Sequence, residues 1–175
     1  MKQADFINML KVAHDVPDYY NAHWPYNLGY FDGTRYSFDC WNLIKVILAG
    51  WQPTGVIGSY TSPTVTGDID GATMLSKCYN RSKDFSKISV PGTYLYISNS
   101  PHSGVYVGEF ERDGYYFNVV ECTAAWDNKV QFTYVDENGG RYQYKGGPKN
   151  PYGWTDYGLL PWVEYEDIPT DNTEE

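Results

Sequence analysis

Cys40 stands in the run Tyr36-Ser37-Phe38-Asp39-Cys40-Trp41-Asn42-Leu43-Ile44-Lys45, where a polar, turn-forming stretch meets an apolar pattern. Leu43, Ile44, Ile47 and Leu48 recur at helical spacing. A buried helix is therefore predicted over residues 40–49, opened by Cys40 and stopped by Gly50. The free N–H groups and positive dipole end of a helix favour an anion. A thiolate is such an anion and is the nucleophilic form of cysteine, so the position is expected to lower the Cys40 pKa. The same pattern also accommodates a small, inert core cysteine.

A nucleophilic thiol needs a base, and the base needs an orienting group. The chain offers three histidines, His14, His23 and His102. The first two precede Cys40. His102 opens a predicted strand in Ser100-Pro101-His102-Ser103-Gly104-Val105, where small Ser103 and Gly104 leave space for a groove. A surface-loop histidine would fit that segment as well. With a hairpin turn at 111–114, the return strand brings residues 118–122 beside His102, and the polar residues there are Asn118 and Glu121. Glu121 is flanked by Val119-Val120 and Cys122, and a charge among apolar residues calls for a partner unless it faces solvent. A carboxylate accepting from the imidazole would fix its tautomer and stabilise the imidazolium.

These residues need elements to hold them. Phe6, Met9, Leu10 and Ala13 share one face of a short amphipathic helix over 4–13. Residues 15–38 and 51–71 read as loops, and 72–79 as a short helix. Strands are predicted at 93–97, 103–110, 115–123 and 129–135, with 159–165 closing the sheet. Helices first and a meander of antiparallel strands afterwards define an α+β fold, its helices packed on a central sheet of five or six strands. Asp68-Ile69-Asp70-Gly71 resembles part of a calcium loop, but the other ligand positions are missing, so a turn and helix N-cap is expected.

The chain has 175 residues, enough for one domain with a full core. Its net charge of −9 and lack of a basic stripe argue against nucleic acid or an anionic membrane as partner. Aromatics at 18%, led by 18 tyrosines, suit a groove for sugars or peptides. Three widely spaced cysteines, Cys40, Cys78 and Cys122, leave at least one thiol free and match no zinc spacing. Cys78 and Cys122 are expected in or near the core, Cys122 facing away from Glu121. No secretory signal or membrane span is apparent, so no membrane association is expected. The acidic residues 166–175 read as a tail or linker after a domain over 1–165.

Phe38-Asp39-Cys40 before a helix, with His102-Ser103-Gly104-Val105-Tyr106-Val107-Gly108 on a strand, resembles the NlpC/P60 superfamily of papain-like cysteine peptidases. The run from Val120 to Gln131 and the ending Trp154-Thr155-Asp156-Tyr157-Gly158-Leu159-Leu160-Pro161-Trp162 are similar to a phage and prophage subgroup. The resemblance covers about residues 20–165. It implies a papain-like fold, Cys40 as nucleophile, His102 as base and Glu121 as third residue, where many members carry His. It further implies Tyr26 near the thiol and oxyanion and Asp39 near a substrate amine. Trp41-Asn42 replaces the family's Ser-Gly after the cysteine, which puts Trp41 at the substrate side. The implied activity is cleavage of a stem-peptide amide in bacterial peptidoglycan by a monomer that needs no cofactor or metal. An endolysin made in the host cytoplasm without a signal peptide, or a tail-associated lysin, would act this way. The rivals are an N-acetylmuramoyl-L-alanine amidase of CHAP type and a wall-binding module that has lost catalysis.

Overall fold

In the computed structural model, residues 1–166 and 168 are described. Helix α1, Gln3–Asp15, buries Phe6, Met9, Leu10 and Ala13, the face that the spacing predicts. Helix α2, Asn42–Leu48, is buried along its whole length, including Lys45. A helix apolar nearly all round belongs inside, and its one cation must find partners there. Lys45 Nζ donates to Asp68 Oδ1 at 3.0 Å and to the Ile69 carbonyl at 2.7 Å, tying the loop after α2 to the core. Helix α3, Gly71–Lys77, starts where Asp70 accepts the Thr73 N–H at 2.8 Å, so Asp70 is the expected N-cap.

Three short strands form a small sheet: β1 (Asp18–Tyr20), β2 (Leu28–Phe31) and β3 (Tyr36–Phe38), in the order β1-β3-β2, with β1 and β3 parallel. Seven strands form the main sheet. They are β4 (Tyr79–Ser82), β5 (Thr93–Ile97), β6 (His102–Arg112), β7 (Tyr115–Thr123), β8 (Lys129–Val135), β9 (Arg141–Tyr142) and β10 (Asp156–Leu159). Their order is β4-β10-β5-β6-β7-β8-β9, and every neighbouring pair is antiparallel. The fold is therefore α+β, with the meander β5 to β8 at its centre.

The central strands alternate between two faces, as the period of two requires. Tyr94, Tyr96, Val105, Val120, Cys122, Val130 and Phe132 join the large core beneath α1 and α2. Leu95, Ile97, Val119 and Val135 join a smaller core closed by Phe85, Trp154 and Tyr157. Cys122 lies in the large core, on the face opposite Glu121's neighbours Val119 and Leu95, as its position on the strand predicts.

Several boundaries move. The predicted loop over 15–38 holds β1 to β3, because strands of three or four residues among Pro, Gly and Asn leave too short a pattern to read. The helix expected over 72–79 stops at Lys77, and Tyr79 enters β4. The closing strand is Asp156–Leu159 rather than 159–165, since Pro161 cannot supply a ladder N–H. With β4 and β9 added at its edges, and β10 in place of the expected closing strand, the sheet has seven strands instead of five or six. Apart from Glu166 and Ile168, the tail expected over 166–175 lies outside the described residues.

Candidate active site

Helix α2 begins two residues later than Cys40, and this changes the thiol's surroundings. Cys40 and Trp41 form the turn before it, with Trp41 as the cap residue. The first free N–H of α2, on Asn42, goes to Asp39 Oδ1 at 2.7 Å. Asp39 Oδ2 accepts the side-chain N–H groups of Asn42 at 2.7 Å and Asn27 at 3.0 Å. Asp39 is thus the anion at the helix start.

Cys40 is only 6% exposed. Burial first, and the neighbouring Asp39 carboxylate second, push its thiol up to about 12, against the pull of the Ser103, Trp41 and Cys40 backbone N–H groups. The expectation of a lowered pKa is corrected here: the helix end is occupied by Asp39, and the sulfur pays desolvation. The contact with the Ser103 N–H sets the sulfur beside the residue that follows His102. No hydrogen bond joins the sulfur to the His102 ring.

His102 opens β6 opposite Ile97. Its Nε2 lies 2.7 Å from Glu121 Oε1. The register pairs Val105 with Val120, which brings Gly104 against Glu121 and leaves His102 diagonal to it on the same face. Asn118, the other candidate partner, instead exchanges two hydrogen bonds with the Val135 backbone, at 3.0 and 2.8 Å.

Glu121 is fully buried. Oε2 accepts from Thr133 Oγ1 at 2.6 Å, and Arg141 Nε reaches the two oxygens at 2.9 and 3.1 Å. Arg141 Nη2 also donates to Oε1 and, at 3.1 Å, to Thr123 Oγ1. Burial opposes the charge of Glu121, but Arg141 and then His102 overcome it and hold the carboxyl at about 2. An ionised carboxylate only accepts, so His102 Nε2 donates to Glu121.

Trp154 walls in His102, stacked on its ring with centroids 5.5 Å apart and planes at 29°. Gly104 makes that possible, because a Cβ there would lie 2.7 Å from the Trp154 ring. On the other side, a Cβ on Gly71 would lie 2.9 Å from Ser103 Oγ and 3.0 Å from the Trp41 ring. Trp41 therefore packs over the start of α3, close to the Cys40 turn.

The remaining proposed site residue, Tyr26, is 41% exposed. Its ring meets Tyr30 edge-on at 4.8 Å, and its carbonyl accepts from Ser37 Oγ. Cys40 acts on the hydroxyls of Tyr20, Tyr94 and Tyr96; at Tyr20 burial, then Cys40 and Asp39, raise it to about 12. The structure brings His102 and Glu121 into direct contact and sets Cys40 against the next residue of the same strand.

Sequence reasoning missed Arg141, Thr133, Trp154 and Tyr20. A signal for Arg141 existed. A carboxylate buried as deeply as Glu121 needs a cation in addition to an imidazole, and Arg141 follows the turn Asn138-Gly139-Gly140 just after the neighbouring strand. Nothing in the sequence singled out Tyr20.

Compared with protein-family models, with curated proteins and with solved structures, the chain returns no match.

Proposed function

We propose that the protein is a cysteine-dependent peptidoglycan hydrolase with a papain-like fold, of the kind its Cys40 and His102 segments resemble. The observation that carries this reading is the 2.7 Å bond from His102 Nε2 to a buried, ionised Glu121, on the strand whose next backbone N–H reaches the Cys40 sulfur. General-base-assisted thiol attack requires an oriented imidazole of this kind close to the nucleophile's segment.

The reaction follows. Cys40 Sγ attacks a stem-peptide amide carbonyl as its proton passes to His102 Nδ1. The S–C bond forms and the carbonyl becomes an oxyanion that accepts from the Cys40 backbone N–H. The imidazolium returns its proton to the amine nitrogen as the C–N bond breaks. Water, deprotonated by His102, then hydrolyses the thioester and frees Cys40. Glu121 holds the ring through both transfers, and Asp39, engaged by Asn42 and Asn27, holds the turn that carries Cys40. Exposed Trp24 and Tyr60, packed edge-on at 6.0 Å, offer flat apolar faces suited to a wall glycan. A phage or prophage lysin, acting as a monomer without cofactor, is the setting this chemistry suits best.

Loss of turbidity of purified Gram-positive walls, wild type beside Cys40→Ala, tests the reading, with the fragments analysed by mass. Clearing by wild type alone supports it, and the new ends distinguish a peptide-bond endopeptidase from an N-acetylmuramoyl-L-alanine amidase. Equal clearing by both proteins overturns it. The buried, protonated thiol favours a second reading, a wall-binding module without catalysis. Binding to walls with no clearing and no Cys40 reactivity would select that one.

A further inference from the structure

We propose a second binding site, for a short neutral oligosaccharide, in the cavity between the end of α1 and the tip of the β6–β7 hairpin. The cavity measures about 410 Å³, within the range of about 300–1,000 Å³ that small-ligand sites occupy. None of Cys40, His102, Glu121, Tyr26, Asp39 and Trp41 lines it. Arg112, which does, closes the strand that His102 opens. Val130 and Phe132 also line it, and they pair with Cys122 and Val120 on the face of the sheet turned away from Glu121. The site is therefore separate from the candidate active site, and it goes beyond the hydrolase reading without depending on it.

Aromatic rings supply its apolar walls. The His14 imidazole lies flat on the Phe132 ring, with centroids 3.6 Å apart and planes at 8°. Phe117, 5.9 Å from Phe132, adds apolar surface beside them. Tyr115 and Tyr144 meet at 4.7 Å, and Tyr115 leaves half of its surface in water. Rings of this kind receive the C–H face of a sugar, and the tyrosine hydroxyls reach its polar rim.

The polar lining selects against ions. Arg112 and Lys129 are matched by Asp113 and Asp127. Arg112 Nη1 is also held by Asp15 Oδ1 at 2.8 Å, and Lys129 Nζ donates to the His14 carbonyl at 3.3 Å. A nucleotide or other anion would meet two carboxylates on a protein of net charge −9. An extended peptide needs free backbone groups to pair with. Here the Tyr116 carbonyl already takes the Lys145 N–H, and the Val130 N–H is bound to Asp18 Oδ1. What the cavity offers instead is a mixture of donors and acceptors beside flat rings: Lys129 donates, Asp113 and Asp127 accept, and the Gln143 amide does both. A sugar has the complementary pattern, hydroxyls that donate and accept around an aliphatic face.

The test is an NMR titration of the isotope-labelled full chain with triacetylchitotriose and, separately, with maltotriose. The signals of Tyr115, Phe117, Lys129 and Tyr144 are expected to shift with one sugar or both. Tyr115→Ala should weaken binding by about three- to tenfold, the loss of one stacked aromatic face. Tyr79→Ala, which removes another exposed tyrosine on the edge strand β4, and Cys40→Ala should bind as wild type. The tighter of the two sugars names the source, an N-acetylated glycan like that of the bacterial wall or a glucan, and either result supports the proposal. No shift with either sugar overturns it, as do shifts confined to Trp24 and Tyr60 or an unchanged affinity in folded Tyr115→Ala. Should Tyr115→Ala not fold, the wild-type shift map decides the matter, since it needs no variant. Wall clearing is not measured, so failure of this site and failure of the hydrolase reading are told apart.

Discussion

Asp39 Oδ1 accepts the Asn42 backbone N–H at 2.7 Å, and through that bond the carboxylate takes the place at the start of α2 that a thiolate would otherwise use. Two neighbouring residues compete for one helix end, and the stronger acid holds it. Asp39→Asn removes the charge that raises Cys40 while keeping an acceptor for Asn42. Alkylation of Cys40 at fixed pH is expected to speed up by about threefold or more, because a like charge beside the thiolate is gone. Asp39→Ala, which also removes the acceptor, should lower stability by about 1–2 kcal/mol in a denaturant titration.

Cys40→Ala should abolish wall clearing. The lost sulfur is a small group at the edge of the core, so the stability cost should stay near 1 kcal/mol. Thermal melts beside the turbidity assay check both parts. Residual clearing near the wild-type rate would remove Cys40 from the mechanism.

Glu121 makes the fold acid-sensitive. Its carboxyl titrates at about 2 in the folded protein, below its ordinary value of 4.5, so folding stabilises the ionised form. That contribution is complete above about pH 5 and is lost as the pH falls toward 2. Glu121→Ala should cost about 3–5 kcal/mol at neutral pH, since it strands the Arg141 cation in the interior. In Glu121→Gln the drop in melting temperature between about pH 5 and 3 should flatten.

Asp18 pulls in the opposite direction. Oδ1 accepts the Val130 N–H at 2.7 Å, but Oδ2 is buried without a partner, and Lys129 Nζ is a distant 4.0 Å away. Burial prevails over that weak pair and raises the carboxyl to about 7. A raised carboxyl contributes stability below its unfolded value near 4, and the contribution is lost as the pH climbs to about 7. Asp18→Asn should therefore be more stable than wild type at about pH 8 and gain nothing at about pH 4, which melts at the two pH values would show.

Gly104→Ala tests the wall behind the base. The added methyl would sit 2.7 Å from the Trp154 ring, which must move off His102 to admit it. A stability loss of about 1–3 kcal/mol is expected from overpacking, with a larger proportional loss of wall clearing. Altered tryptophan fluorescence in the folded variant would report the displaced ring, and an unchanged spectrum with full clearing would argue that Trp154 has no part in the site.

Long periodic segments were legible in the sequence. The Phe6–Ala13 face of α1, the strand Thr93–Ile97 and the hairpin that turns at Asp113-Gly114 all follow from local patterning, because side-chain period and turn residues report directly on the backbone. That the return strand comes back beside His102 was legible from the hairpin, but the pairing with Glu121 depends on a bulge between Tyr106 and Phe110 that shifts the register away from the one the turn sets. The short strands β1, β2 and β3 were not legible, because three or four residues carry no readable period and are held by their neighbours.

By itself, then, the sequence determined which residue types are available for chemistry and which strands one hairpin brings together. Only the tertiary structure decided the electrostatic state of the site. Arg141 comes from a different strand than Glu121 or His102, and Asp39 occupies the helix end expected for Cys40. Protonation depends on burial and on charges a few ångströms away in space, and neither quantity is encoded in local spacing along the chain.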